Sequence, residues 1–326
     1  MISPRRKNVA VCLGLAALIS FFAGRAEAID KVRIAVPDVG GQFLTFPLAQ
    51  SRGFLRQEGL DAEIILIRGN AALAAISSGD TDYTAGIPQG VRGALLGLPL
   101  KVVACFEPSS TLMLLAPSSI KSVADLKGKS IAVGAVGGGP TRIARAVLKK
   151  FNLNPDKDVN YISVGAAQAR IALVNQGIAA AAIVPPPYDV EGRKLGLAVL
   201  ARAYEIVSFP QSGLTVHSRR LKDKPDEIAR VIKAGIRANG FIRSNRDGTI
   251  EFLKTWQRAD ASVAAATYDA VWRVYSTDGA MPLDGLRLVV QDTKDLLEQS
   301  RDIAIGDLFD PGPLRRAQTD LGMAAK

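Results

Sequence analysis

One pattern of glycines occurs twice along this chain of 326 residues, and it restricts the possible folds more than any other feature. An apolar, β-rich run at 32–36 leads into Gly40-Gly41. A helical pattern then passes through Pro47, Leu48, Phe54 and Leu55 and stops near Gly59. Residues 61–67 read as a strand ending at Gly69, 71–76 as a short helix closed by Gly79, and 83–86 as a third strand. The same order returns at 131–134, followed by Gly137-Gly138-Gly139. A helix at 141–151 carries Ile143, Ala144, Val147 and Leu148 on one face, then come a strand at 159–164 to Gly165, a helix at 168–175 closed by Gly177, and a strand at 180–184. Gly41 to Gly69 is 28 residues and Gly138 to Gly165 is 27; the next intervals, to Gly79 and Gly177, are 10 and 12. Strands that alternate with helices pair in parallel. The expectation is therefore an α/β chain of two similar lobes, each a central, mostly parallel sheet flanked by helices.

Residues 29–108 would open the first lobe, 109–218 form the second, and 219–326 return to the first as helices. The crossings are expected at 109–119 and 204–218, with short apolar strands at 112–116 and 214–216. Helical periodicity marks 227–241, 250–258, 262–275 and 285–301. Trp256, Trp272 and Tyr275 are expected to pack on the first lobe, and the basic tail after Pro313 reads as a surface element.

In such sheets a ligand sits beyond the carboxyl ends of the strands, at helix starts. The second lobe offers Gly138, Gly139, Thr141 and Arg142 there, then Pro185-Pro186-Pro187-Tyr188. Glycines leave backbone N–H groups uncovered, proline is tolerated in the first helical turn, and the free amides of that turn suit an anion. The first lobe offers Gly41, Gln42 and Phe43, then Pro88 and Gln89. Nucleotide loops fit poorly. Counting GxGxxG from Gly137 and Gly139 puts Arg142 in place of the last glycine, and a Walker A reading of Gly128-Lys129-Ser130 puts Val123 in place of the first. Arg145 and Arg170 are further cations on helices, read as solvated or paired, and Glu107 lies near the first crossing, either facing a cation or exposed.

The first residues read as a secretory signal: Arg5, Arg6 and Lys7, an apolar stretch at 9–24, and the small-residue site Ala26-Glu27-Ala28. The mature chain would begin near Ile29 and reside in the periplasm. Its only cysteine is Cys105, which excludes an intrachain disulfide, and its only histidine is His217, which leaves hydrolytic triads and metal sites without partners. No catalytic residue, metal or cofactor is expected. The formal charge is +10; the signal holds Arg5, Arg6, Lys7 and Arg25 against Glu27, so the mature part keeps a net charge of +7. Outside the cytoplasm that excess points to small anions or a membrane surface, not nucleic acid.

Several stretches carry a family likeness. They are Pro47-Leu48-Ala49 with Gly53-Phe54 and Gly59-Leu60, Ser78-Gly79-Asp80-Thr81-Asp82, Asp125-Leu126-Lys127-Gly128-Lys129, Arg170-Ile171-Ala172-Leu173 before Gly177, and Pro186-Pro187-Tyr188. Through these the chain resembles the substrate-binding proteins of ABC importers in the nitrate/sulfonate/taurine group, which share a domain with a pyrimidine-synthesis enzyme family. The resemblance spans nearly all of the mature chain. It implies a two-lobed periplasmic binding fold of type II kind, a monomer that closes on a small solute and delivers it to a cognate permease in the inner membrane. It also implies that the loop at Gly138 to Thr141 helps hold the ligand's anionic group. Two departures stand out. Gly139-Pro140-Thr141 occupies the place of a serine- and threonine-rich run, and Ala180-Ala181 replaces an aspartate that the first lobe keeps as Asp82, read as structural.

The reading is an extracytoplasmic receptor that clamps a sulfonate- or carboxylate-like anion, with helix-start amides and Thr141 on the charge and Phe43 and Tyr188 on the organic part. The alternatives are an enzyme related to pyrimidine-precursor synthases, which would need His, Cys and Lys clusters, and a periplasmic ligand-sensing protein of the same fold.

Overall fold

The computed structural model describes residues 29–134, 138–298 and 302–323, so the signal-like segment lies outside the described residues. The strands run in chain order as β1 (Asp30–Val36), β2 (Leu60–Leu66), β3 (Tyr83–Gly86) and β4 (Leu100–Glu107), then β5 (Met113–Pro117), β6 (Lys129–Val133), β7 (Val159–Ser163), β8 (Ala181–Val184) and β9 (Leu197–Arg202), and last β10 (Ser212–His217). They form two five-stranded sheets, ordered β2-β1-β3-β10-β4 and β7-β6-β8-β5-β9. Replacing each of β1 to β4 by β6 to β9, and β10 by β5, converts one order into the other. The repeat in the glycines is thus a repeat in topology.

Within each sheet the second strand in this order pairs in parallel with two neighbours, β1 with β2 and β3, and β6 with β7 and β8. The odd strand is antiparallel on both sides: β10 against β3 and β4, and β5 against β8 and β9. Each odd strand is the first one after a crossing. This corrects the expected boundary: residues 212–217 belong to the first sheet and not to the second lobe, and the second crossing is confined to the residues between β9 and β10. The tail is corrected too. Helix Gly312–Asp320 buries Leu314, Ala317 and Gln318, and the Gln318 amide donates to the Asp278 carbonyl at 2.8 Å.

Local chemistry accounts for these elements. β4 puts Val102 and Cys105 into one apolar cluster and Val103, Ala104 and Phe106 into the other, its alternation broken where the register against β10 shifts. Both faces are covered, so the run from Val102 to Phe106 is apolar instead of alternating with polar residues. Gly79 and Gly177 close equivalent helices in the two lobes at φ +85° and +73°, a region where an L side chain is strained. Asp82 is structural. Its carboxylate accepts from the Arg33 backbone N–H at 2.7 Å and from Arg220 at 2.7 Å, and Arg220 also reaches the buried Glu227, which accepts the Tyr83 hydroxyl at 2.6 Å. Cys105 is a buried free thiol, its pKa pushed up by burial, and the lone His217 accepts the Arg219 N–H at a helix start.

Four helices matter for the site and its support: α1 (Gly69–Ser78), α2 (Ile87–Leu95), α3 (Gly139–Lys150) and α4 (Leu283–Leu297). The last ties the lobes together. Its Leu286 and Val289 are fully buried in one apolar cluster with Ile87 and Val91 of the first lobe and Val133 and Ile143 of the second. Full burial of side chains of this size contributes about 1.5–3 kcal/mol each.

Candidate functional site

Where the strands of both lobes end, the chain encloses a cleft of about 490 Å³. Three helix starts face it. α1 brings Gly69, Asn70 and Leu73; α2 brings Pro88, Gln89 and Arg92; α3 of the second lobe brings Gly139 and Arg142 behind its cap Gly138. Phe43, from the turn after β1, and Phe209 and Gln211, from the second crossing, complete the lining. None of the three helices has a side-chain cap. Their first-turn amides therefore keep hydrogen-bonding capacity, and the positive ends of their dipoles point to the same space.

The charges on this lining are all positive. Arg92 and Arg142 are its only ionisable residues among those described. Arg142 sits with Nε 2.8 Å from Asp292 of α4. Burial draws the Arg142 guanidinium below its ordinary pKa, Asp292 opposes that, and the charge of Arg92 adds to it, so the two guanidiniums sense each other across the cleft. Burial raises the Asp292 carboxyl. Arg92 is different: its Nε is buried and has no hydrogen-bond partner among the described residues.

Of the residues singled out from sequence, Phe43, Pro88, Gln89, Gly138, Gly139 and Arg142 meet at this cleft. The other four do not line it. Gly41 is buried against the chain that follows β10: a Cβ there would lie 2.9 Å from Thr267 and Val271, and its carbonyl accepts the Tyr275 hydroxyl. Gln42 is half-buried beside Gly40. Thr141 is buried in the first turn of α3. Tyr188 packs on the second lobe's cluster of Ile171, Val174 and Val184, and its hydroxyl accepts from Gln168 at 2.7 Å.

Arg145 forms a two-pronged pair with Asp156, at 2.5 and 3.0 Å, and the buried Arg170 donates to the carbonyls of Val164 and Gly165, so both are committed elsewhere. Glu107 neither faces a cation nor lies exposed. It is 0 % exposed, neither carboxyl oxygen has a hydrogen-bond partner among the described residues, and burial followed by the nearby Asp38 charge raises its pKa well above the usual range.

Gly69, Asn70, Leu73, Arg92, Phe209 and Gln211 also line the cleft and are not among the residues expected from sequence. A signal existed for Arg92. It stands four residues after Pro88 and three after Gln89, so a helix starting at Ile87 must place it on their face.

Comparison with known proteins fits this architecture. A family model described as "NMT1/THI5 like" matches residues 41–248, well over half of the chain. A protein of Brucella abortus (strain 2308) that carries a provisional binding-protein name is 26% identical over 262 residues, covering 78% of this chain and 80% of its own. Among solved structures, the periplasmic aliphatic sulphonate binding protein SsuA from Escherichia coli superposes with a TM-score of 0.69 at 21% identity, over 85% of this chain and 91% of that one. The desulfurization enzyme DSZB does so with a TM-score of 0.61 at 16% identity, over 90% and 99%. Such distant structural likeness speaks to fold alone, since one fold serves both binding and chemistry. By the extent of the family match, this chain belongs to the NMT1/THI5-like family.

Proposed function

We propose that this protein is the extracytoplasmic solute-binding component of an ABC importer, and that it takes a small organic anion between its lobes and presents it to a permease in the inner membrane. The observation that carries this reading is the cleft itself: helix starts from both lobes and two arginines converge on it, with no acidic residue among its described lining. An anion there gains from the helix dipoles and from charge-assisted hydrogen bonds. The described lining also holds no Ser, Thr, Cys, His, Lys, Tyr, Asp or Glu. A nucleophile or general base of the usual kind is missing from it, which favours binding over turnover. Among the described residues no helix is long and apolar enough to cross a membrane, which is compatible with release after a cleaved signal.

A thermal-shift panel on the mature protein tests the proposal, using alkyl- and arylsulfonates, carboxylates, nitrate, bicarbonate and a neutral sugar. A ligand at 100 times its dissociation constant adds about 2.7 kcal/mol of stability. A shift confined to anions supports the receptor reading. A response to the sugar alone, or turnover of any bound compound, defeats it.

A further inference from the structure

We propose that Arg92 sets the charge of the ligand: its anionic head is held between Arg92 of the first lobe and Arg142 of the second, and the cleft is matched to a single negative charge on an apolar, preferably flat body. This rests on the receptor reading above and specifies its substrate class.

The charges facing the cleft decide the valence. Arg142 is ion-paired with Asp292 at 2.8 Å, so that pair is close to neutral. Arg92 lines the same cleft and makes no hydrogen bond or ion pair through its side chain to the described residues, and its Nε is shielded from water. One uncompensated side-chain charge therefore remains against a partly desolvated wall, beside the partial positive charges of the helix starts, an arrangement that costs free energy until a counter-ion arrives. A monoanion neutralises it. A dianion would bring a second negative charge with no further cationic side chain on the described lining to pair with it, leaving only the partial charges of the helix starts to meet it.

Guanidinium forks suit the coplanar oxygens of a carboxylate and also accept a sulfonate. The remainder of the lining selects the body. Phe43, Leu73, Pro88 and Phe209 are apolar, while Asn70, Gln89 and Gln211 offer uncharged hydrogen-bonding groups. A benzoate- or benzenesulfonate-like compound fits that set. Because the two arginines come from different lobes, the head group would also relieve the like-charge opposition between them and so couple binding to approach of the lobes.

The test measures dissociation constants by calorimetry, and melting temperatures, for the full mature protein and the variants Arg92→Gln and Arg92→Lys. The probes are benzoate, benzenesulfonate, the dianion phthalate and neutral benzyl alcohol. The wild type should prefer one or both monoanions over phthalate and benzyl alcohol. Arg92→Gln should weaken the preferred monoanion at least tenfold, with the ligand-free melting temperature unchanged or higher because the opposing charge is gone. Arg92→Lys should fall between the two, keeping the charge and losing the fork. Monoanion binding unaffected by Arg92→Gln, tighter binding of phthalate than of either monoanion, or a lowered ligand-free melting temperature in both variants would each overturn the assignment. A wild type that responds to no anion in this set or in the wider panel overturns the receptor reading itself, which separates the two failures.

Discussion

Replacing Glu107 with glutamine should make the protein more stable as pH rises, and the pH dependence carries the information. Glu107 closes β4 with no exposed surface and no hydrogen-bond partner for either carboxyl oxygen among the described residues. Burial first, and the Asp38 charge second, push its pKa well above the ordinary 4.5. Below that ordinary value both the folded and the unfolded chain hold the proton, and the group has no effect on stability. Above it the unfolded chain releases the proton while the fold retains it. The unfolded state then gains about 1.4 kcal/mol per pH unit, for as long as the folded carboxyl stays neutral. Glutamine has nearly the same shape and cannot ionise. Its own unpaired amide costs about 1–3 kcal/mol at every pH, which shifts the variant's curve without tilting it. Urea unfolding followed by the fluorescence of Trp256 and Trp272 between pH 4 and 8 should therefore give a variant-minus-wild-type difference that climbs with pH. A difference flat across that range would refute the reasoning, because Glu107 would then be ionised and neutralised inside the fold.

Three further perturbations have magnitudes that follow from the packing. Glu227→Ala removes the acceptor of the Tyr83 hydroxyl and one of the two acids on Arg220, from a site only 3 % exposed; chemical denaturation should show a loss of about 3 kcal/mol, and a loss below about 1 kcal/mol would mean that water replaces the carboxylate. Gly213→Ala would place a Cβ 2.3 Å from the Ala104 carbonyl oxygen in the neighbouring strand, so β10 must shift; calorimetry should show at least about 2 kcal/mol of destabilisation, and a stable variant would contradict the strand placement. Gly79→Ala and Gly177→Ala meet nothing within 4 Å, so each should cost only the left-handed backbone penalty of about 1 kcal/mol; clearly unequal losses would argue against equivalent helix ends.

The sequence disclosed the lobes because glycine is read by the backbone. Gly79 and Gly177 are needed wherever a short helix must turn into the next strand, so their spacing survives when side chains diverge. It disclosed the loops beyond the strand ends in the same way, and with them Phe43, Pro88, Gln89, Gly138, Gly139 and Arg142. What it hid depends on contacts between distant segments. The strand Leu100–Glu107, apolar from Val102 to Phe106, carries no mark of its partner, and the antiparallel insertion of β10 between β3 and β4 is a long-range pairing that no local pattern encodes. Tyr188 looked like a cleft residue because it follows a strand end, yet its bond to Gln168 and its packing on the second lobe keep it off the lining. Arg92 is hidden with its helix, since Ile87–Leu95 contains Pro88, Gly90 and Gly93, which mask a helical pattern.

The place of β10 has a consequence for the order in which the molecule can be completed during synthesis. β4 touches no strand of its own sheet except β10, which is encoded more than a hundred residues later. Until that segment emerges, β3 and β4 present unpaired edges, the kind of surface that recruits other chains. The second sheet spans Met113 to Arg202 without interruption and needs nothing from outside that stretch for its strand pairing. The lobe that begins later is thus the one whose sheet can be finished earlier, and the first lobe waits, one strand short, for the chain to come back.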